Sequence, residues 1–164
     1  MKKLFFPLFI MLMFFSVVKA EFVSNIVVNG NERVSSETII LLGGVEKDKE
    51  YTDTILNNII NELYKTNFFS DIKLEILKGT LHIEVTENKI IQTIEINGIK
   101  ANKIKDLIKE RMILKNKSPY NKFFVSKDLN NIKNSLKLIG YYFVDVKSSI
   151  IENNNNTVNL IYDI

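Results

Sequence analysis

The sequence has 164 residues, 22 basic and 19 acidic side chains, a formal net charge of +3 and no cysteine. That length allows one ordinary domain or two small ones. The missing cysteines exclude disulfide staples and a lipid-anchored lipoprotein. A hydrophobic content of 46% argues for folded cores, which must hold by packing alone.

The first twenty residues stand apart. Lys2 and Lys3 precede an apolar run over residues 4–18, and Val18-Lys19-Ala20 follows. A charged start, an apolar middle and a small-residue end predict a secretory signal peptide over residues 1–20, cut between Ala20 and Glu21. The rival is an uncleaved anchor, for which the run is short of the ~20 residues a span needs. Three of the cations lie in this segment, leaving 19 against 19 acids. The excess of cations is therefore mostly a targeting feature and gives no footprint for nucleic acid.

Taken in order, residues 22–28 read as one strand, with Ile26 and Val28 on one face, ended by Asn29-Gly30. Ser35 or Ser36 caps a short helix carrying Ile39, Ile40 and Leu42, with Glu37 in its first turn and Gly43-Gly44 as its stop. Residues 45–51 read as a polar link. Over 52–66, Ile55, Leu56, Ile59, Ile60, Leu63 and Tyr64 make one stripe of an amphipathic helix. The period then changes to two: Ile72, Leu74 and Ile76 alternate with Asp71, Lys73 and Glu75, which predicts a strand over 69–77. Lys78-Gly79-Thr80 turns the chain into a hairpin partner with Leu81, Ile83 and Val85 inward.

The order then repeats. A strand over 89–96 ends in Asn97-Gly98, a helix is expected over 102–114, a link over 116–124 and a second helix over 126–139. Strands are expected over 142–151 and 157–163, around a polar turn at 152–156. Asn29-Gly30 recurs 68 residues on, and Phe69-Ser70-Asp71-Ile72 is echoed 74 residues on by Phe143-Val144-Asp145-Val146. Repetition of order, turn chemistry and spacing predicts two tandem units, residues 22–88 and 89–164, joined stiffly because residues 87–89 carry no Gly, Pro or Ser run.

No reactive site emerges. There is no Gly-rich phosphate loop, no His-Glu-x-x-His and no Gly-x-Ser-x-Gly, so no catalytic, cofactor or metal residue is assigned. His82, the only histidine, alternates with Leu81 and Ile83 and reads as an outward residue. Asp71 and Asp145 are expected to bond backbone donors where helix becomes strand. Phe68, Phe69, Tyr141, Tyr142 and Phe143 are read as core packing rather than a base-stacking platform. Lys100, Lys103, Lys105, Lys109, Arg111, Lys115 and Lys117, diluted by Asp106 and Glu110, read as a solvated face, with anionic lipid or an acidic partner as the alternative.

On the Ile26-Val27-Val28-Asn29-Gly30 opening, the join from Leu63 to Ile72, and their echoes at 94–98 and 138–146, the chain resembles the POTRA domain, in the tandem arrangement of the BamA-type outer-membrane assembly factors. It departs at Thr66-Asn67, where the family's first unit usually has Thr-Gly; Asn tolerates the left-handed conformation that Gly supplies there. The resemblance implies an α+β fold of two β-α-α-β-β units, each a three-stranded mixed sheet with two helices on one face. It implies a non-enzymatic module in the periplasm of a Gram-negative-type bacterium, at the outer membrane, joined to a C-terminal barrel. It also implies partners: unfolded outer-membrane proteins, periplasmic chaperones and assembly-complex lipoproteins, and no nucleic acid. The end of the sequence on a strand is read as the break-off of a longer protein.

In the family the strand after the second helix is the edge that accepts an incoming strand. That places the contact at Lys73, Leu74, Glu75 and Ile76, and at Lys147, Ser148, Ser149 and Ile150. Lys73, Glu75 and Lys147 are also what edges carry to discourage pairing, so the bland reading of these strands as mere surface stays open. Open too are a transporter of the two-partner secretion type and a stand-alone periplasmic scaffold. A division protein of the FtsQ type is disfavoured by the doubled unit and the Val18-Lys19-Ala20 site. A KH-like RNA module needs Gly-x-x-Gly between its helices, which Gly43-Gly44 does not supply.

Overall fold

A computed structural model describes residues 20–164; residues 1–19, which hold nearly all of the expected leader, lie outside the described residues. Twelve elements follow: β1 (Glu21–Val23), β2 (Asn25–Asn29), α1 (Ser36–Gly43), β3 (Lys49–Tyr51), α2 (Asp53–Lys65), β4 (Phe69–Leu77), β5 (Thr80–Glu87), β6 (Ile90–Asn97), α3 (Asn102–Arg111), α4 (Lys122–Leu138), β7 (Lys147–Glu152) and β8 (Thr157–Asp163).

The elements make two tandem units. Each has a three-stranded mixed sheet, ordered β2-β5-β4 in the first and β6-β8-β7 in the second. The first and last strands of the order are the edges. β5 lies parallel to β2 and antiparallel to β4, and β8 stands in the same relation to β6 and β7. Leu81, Ile83 and Val85 of β5 are buried with Ile39, Ile59 and Leu63 of the helices. Val158, Leu160 and Tyr162 of β8 are buried with Ile108, Ile132 and Leu136. The period-two and helical stripes thus meet in two separate cores.

Two glycines show why the repeat is real. Gly30 and Gly98 leave their strands at φ +80° and +84°, and a Cβ at either would lie 2.1 Å from the Val85 oxygen or 2.0 Å from the Ile164 oxygen. The chain crosses the central strand's carbonyl at the same point in both units, where a side chain does not fit. Asn67 takes the left-handed conformation at φ 59°, as expected for the residue standing in for Gly.

Several boundaries differ from the sequence reading. The strand expected over 22–28 is split at Ser24, and β1 turns away to pair with β3. β3 lies in the segment read as a polar link; its Tyr51 is buried, and its hydroxyl donates to the Glu46 carbonyl and accepts from the Glu46 amide. α3 stops at Arg111 rather than 114, because Met112 is extended and Met112 and Leu114 are buried in alternation. α4 begins at Lys122, capped by Asn121, whose side chain accepts from the Phe123 amide at 2.8 Å.

The largest correction concerns the aromatics. Phe69 is buried, but Phe143, its counterpart in the echo, is fully exposed, and Tyr141, Tyr142 and Phe68 are also exposed. In the first unit Asn67 reverses the chain at once and the strand starts at Phe69. In the second, α4 ends at Leu138 and the strand starts only at Lys147, so 141–146 is an extra loop. The echo holds at Ile72 and Val146, both buried, and fails ahead of them.

Candidate functional site

A sheet edge is a site only if its outer backbone groups are free. In the second unit the two edges differ sharply. β6 is closed by the link after α3: Ile91 donates to the Ser118 carbonyl (2.9 Å), Lys117 donates to the Ile91 carbonyl (2.7 Å) and Tyr120 donates to the Lys89 carbonyl (2.7 Å). Farther along, the Ile94 amide donates to the Asn116 side chain at 2.9 Å, and Ile90 bridges Pro119. β7, on the opposite side, pairs only with β8, and all six of its residues are exposed. Ile151 is 54% exposed and Ile150 sits beside it, a sparse apolar pair on a strand whose other residues are polar.

A groove runs between β7 and the first half of α4. It is about 470 Å³ in volume, with Val125 and Leu129 of the helix and Leu160 as its apolar floor, Lys122 and Ser126 beside them, and Ser148, Ser149 and Ile150 on the strand side. A strand added at β7 would place alternate side chains over that apolar floor.

In the first unit β4 is likewise an edge, and residues 70–77 make no backbone hydrogen bond outside the ladder with β5. Lys73 faces Glu84 of β5 at 3.8 Å, a surface pair that leaves the outer backbone untouched. Here the opposite edge is not closed: the link before α2 goes to β1 instead, so residues 26–29 of β2 make no backbone bond outside their ladder. The structure therefore brings Lys73, Leu74, Glu75 and Ile76, and Lys147, Ser148, Ser149 and Ile150, onto two strand edges, one in each unit.

Asp71 and Asp145 do not cap backbone donors. Asp71 is exposed, and Asp145 pairs with Lys147 at 3.3 Å and Lys133 at 3.8 Å. The carboxylate that does this work is Asp128, which sequence reading passed over. It is fully buried on α4 and accepts from the amides of Ile113 (2.6 Å) and Leu114 (3.0 Å), holding the chain where it leaves α3. The signal was present: an acid standing between Val125 and Ile132 on the apolar stripe. Burial, and then the Asp128 charge, push the Tyr162 hydroxyl pKa far above its ordinary value, so Tyr162 stays neutral.

A second buried carboxylate stands at the end of the first unit. Glu87 accepts from the amides of Glu32 (2.8 Å), Arg33 (2.8 Å) and Val34 (2.9 Å), and its other oxygen meets the Arg33 guanidinium at 3.1 Å. Burial pushes its pKa up, but these main-chain donors and the Arg33 charge outweigh it and hold the pKa below 4.5. Arg33 also donates to the Asn88 carbonyl (2.5 Å) and, across the junction, to the Asn156 carbonyl (3.4 Å).

His82 is half-buried in the middle of its sheet, and among the described residues no three acid, His or Cys side chains gather as a metal site. Among the same residues no helix is long and apolar enough to cross a membrane.

Residues 89–164 match the family model described as POTRA, surface antigen variable number repeat. The chain is 26% identical over 138 residues to the outer membrane protein assembly factor BamA of Neorickettsia risticii, covering 81% of this chain and 16% of that one. It is 33% identical over 78 residues to the BamA of Neisseria meningitidis serogroup B, covering 48% of this chain and 10% of that one. It thus spans a small part of the curated relatives' length. Among solved structures, the N-terminal domain of Omp85 from Thermosynechococcus elongatus superposes with a TM-score of 0.60 at 14% identity, covering 88% of this chain and 63% of that one. POTRA1-2 of Omp85 from Anabaena superposes with a TM-score of 0.54 at 15% identity, covering 88% and 95%; likeness at such identities speaks for the fold. Residues 89–164 therefore match a POTRA domain, the residues before them repeat its fold, and the chain is similar over most of its length to the POTRA-bearing part of BamA proteins.

Proposed function

We propose that the chain is a periplasmic scaffold of an outer-membrane assembly factor that holds extended segments of unfolded barrel proteins by adding them to its sheet edges. It carries out no reaction of its own. The units are taken to meet at residues 87–89, and the same edges are available to chaperones and assembly lipoproteins. The observation that carries the reading is the asymmetry of the second sheet: β6 is closed by residues 116–120, while β7 is open along its whole length beside an apolar groove. Four or five main-chain bonds at about 0.5–1.5 kcal/mol each, less the cost of ordering the client, give weak capture with little dependence on sequence. Such capture suits a receptor that must hold many clients briefly and release them.

The test is a proline scan of adjacent positions. Along an antiparallel edge, alternate amides point away from the neighbouring strand. Of Ser149→Pro and Ile150→Pro, one therefore blocks the open side while sparing the ladder; Leu74→Pro and Glu75→Pro do the same for β4. Binding of a labelled peptide with barrel-strand alternation is measured by anisotropy, and circular dichroism identifies the folded variants. The expected result is a loss of roughly tenfold in affinity in the folded β7 variant, since about 1.4 kcal/mol, near one or two such bonds, is a factor of ten. Unchanged affinity in every folded variant counts against edge capture.

A further inference from the structure

The neutral total conceals two units of opposite charge. Residues 21–88 hold 12 acidic and 6 basic side chains, and residues 89–164 hold 7 and 13. The surplus of cations is concentrated in the helical layer of the second unit. α3 and α4 together carry eight Lys and Arg against Asp106, Glu110 and Asp128, and Asp128 is buried. Of the eight, only Lys133 makes an ion pair among the described residues. Lys103, Lys109, Arg111, Lys122, Lys127 and Lys137 are exposed on this layer.

We propose that the α3–α4 face of the second unit is a docking surface for an anionic lipid bilayer. The cations are spread along the helices, α4 alone being about 25 Å long; of the six, only Lys109 lines the small pocket beside Met112 and Leu114, where Lys115 joins it. An extended charged plane matches that distribution, as juxtamembrane basic clusters match acidic headgroups. A second observation marks the same face. Phe123 is 61% exposed at the start of α4, with the Lys127 ammonium 4.5 Å from its ring centroid. A ring free to enter the headgroup region beneath a cation is the pairing that interfacial helices use. The acidic unit of a second copy is a poorer counter-surface, because its carboxylates are partly spent within the unit: Glu46 on Lys49 (2.6 Å), Glu62 on Lys65 (2.6 Å) and Glu87 on Arg33 (3.1 Å).

α4 also lines the β7 groove, through Lys122, Val125, Ser126 and Leu129, but Lys103, Lys109, Phe123 and Lys127 lie outside it, so variants at those four positions test this proposal apart from edge capture. It is tested by vesicle flotation of the chain from Glu21 onward, which holds both cores and lacks the apolar leader. Phosphatidylcholine vesicles with and without phosphatidylglycerol are compared. Binding is expected only with phosphatidylglycerol, and it should vanish when ionic strength rises from about 0.1 M to about 1 M, where the screening length falls from ~10 Å to ~3 Å. The triple variant K103E/K109E/K127E should reduce partitioning by more than tenfold, at roughly fivefold per cation lost. Phe123→Ser should reduce it severalfold, and K47E/K78E on the first unit less than twofold. Matching thermal melts establish that the variants fold. Equal binding to both vesicles, or a triple variant that binds as well as the parent, overturns the proposal. So does equal binding of soluble poly-glutamate, which assigns the face to an acidic protein instead.

Discussion

Asp128 illustrates how a single side chain decides a fold locally. Its two oxygens answer two amides that the end of α3 would leave unpaired, the Leu114 amide in the core and the Ile113 amide at its margin. Asp128→Ala orphans both, at about 1–3 kcal/mol for each donor, so a loss of ~2–6 kcal/mol is expected in urea unfolding of the second unit. Asp128→Asn keeps one acceptor and should cost about half as much. The first unit solves the equivalent problem with the Tyr51 hydroxyl on Glu46, so its unfolding should not change. In the sequence Asp128 was visible only as an acid on an apolar stripe, a pattern that equally describes a helix rotated by one residue. Only the position of the partner amides, set by the chain leaving α3 early, gives it meaning.

At the scale of elements, the long periodic segments were legible and the short ones were not. α2, β4 and β5 follow from their spacing, because each buries one face over eight or more residues. β3 has three residues and no period of its own; its pairing with β1 depends on where α1 delivers the chain. The identity of the edge strands could be stated from the resemblance, but the closure of β6 by residues 116–120 could not, since backbone bonds from a link leave no mark in side-chain pattern. The Phe69 and Phe143 echo misled for a related reason: a turn of different length moved one ring out of the core. Phe143→Ser should therefore change stability by less than about 0.5 kcal/mol, while Phe69→Ser should cost roughly 3–5 kcal/mol. Paired denaturation curves of the two variants check this.

Across the whole molecule, two small cores adjoin where β5 is followed by β6. Glu87 closes β5 while gripping residues 32–34, and Arg33 reaches on to Asn156 of the second unit. Because its folded pKa lies below the ordinary 4.5, the stabilisation from the Glu87 carboxylate is complete above that value and is lost as pH falls through the lower folded one. Glu87→Gln should melt lower than the parent at neutral pH, by about 1–2 kcal/mol. The two melting curves should converge as pH falls from neutral through 4.5 and below the lower folded value. Parallel curves across that range would remove Glu87 from the account of acid stability. The grip of Glu87 on residues 32–34 was not legible in the sequence, because it requires residues 53–55 positions apart to meet.

The continuity of β5 into β6 through Asn88 and Lys89 also has a mechanical side. A client strand lying along β7 and drawn lengthwise would load the ladder from β7 to β8 and from β8 to β6 in shear, and would pass the tension straight into the central strand of the first sheet. Shear divides a pull among several hydrogen bonds at once. Under the proposed edge capture, this geometry would keep hold of a segment under traction and still let it peel away when lifted from one end.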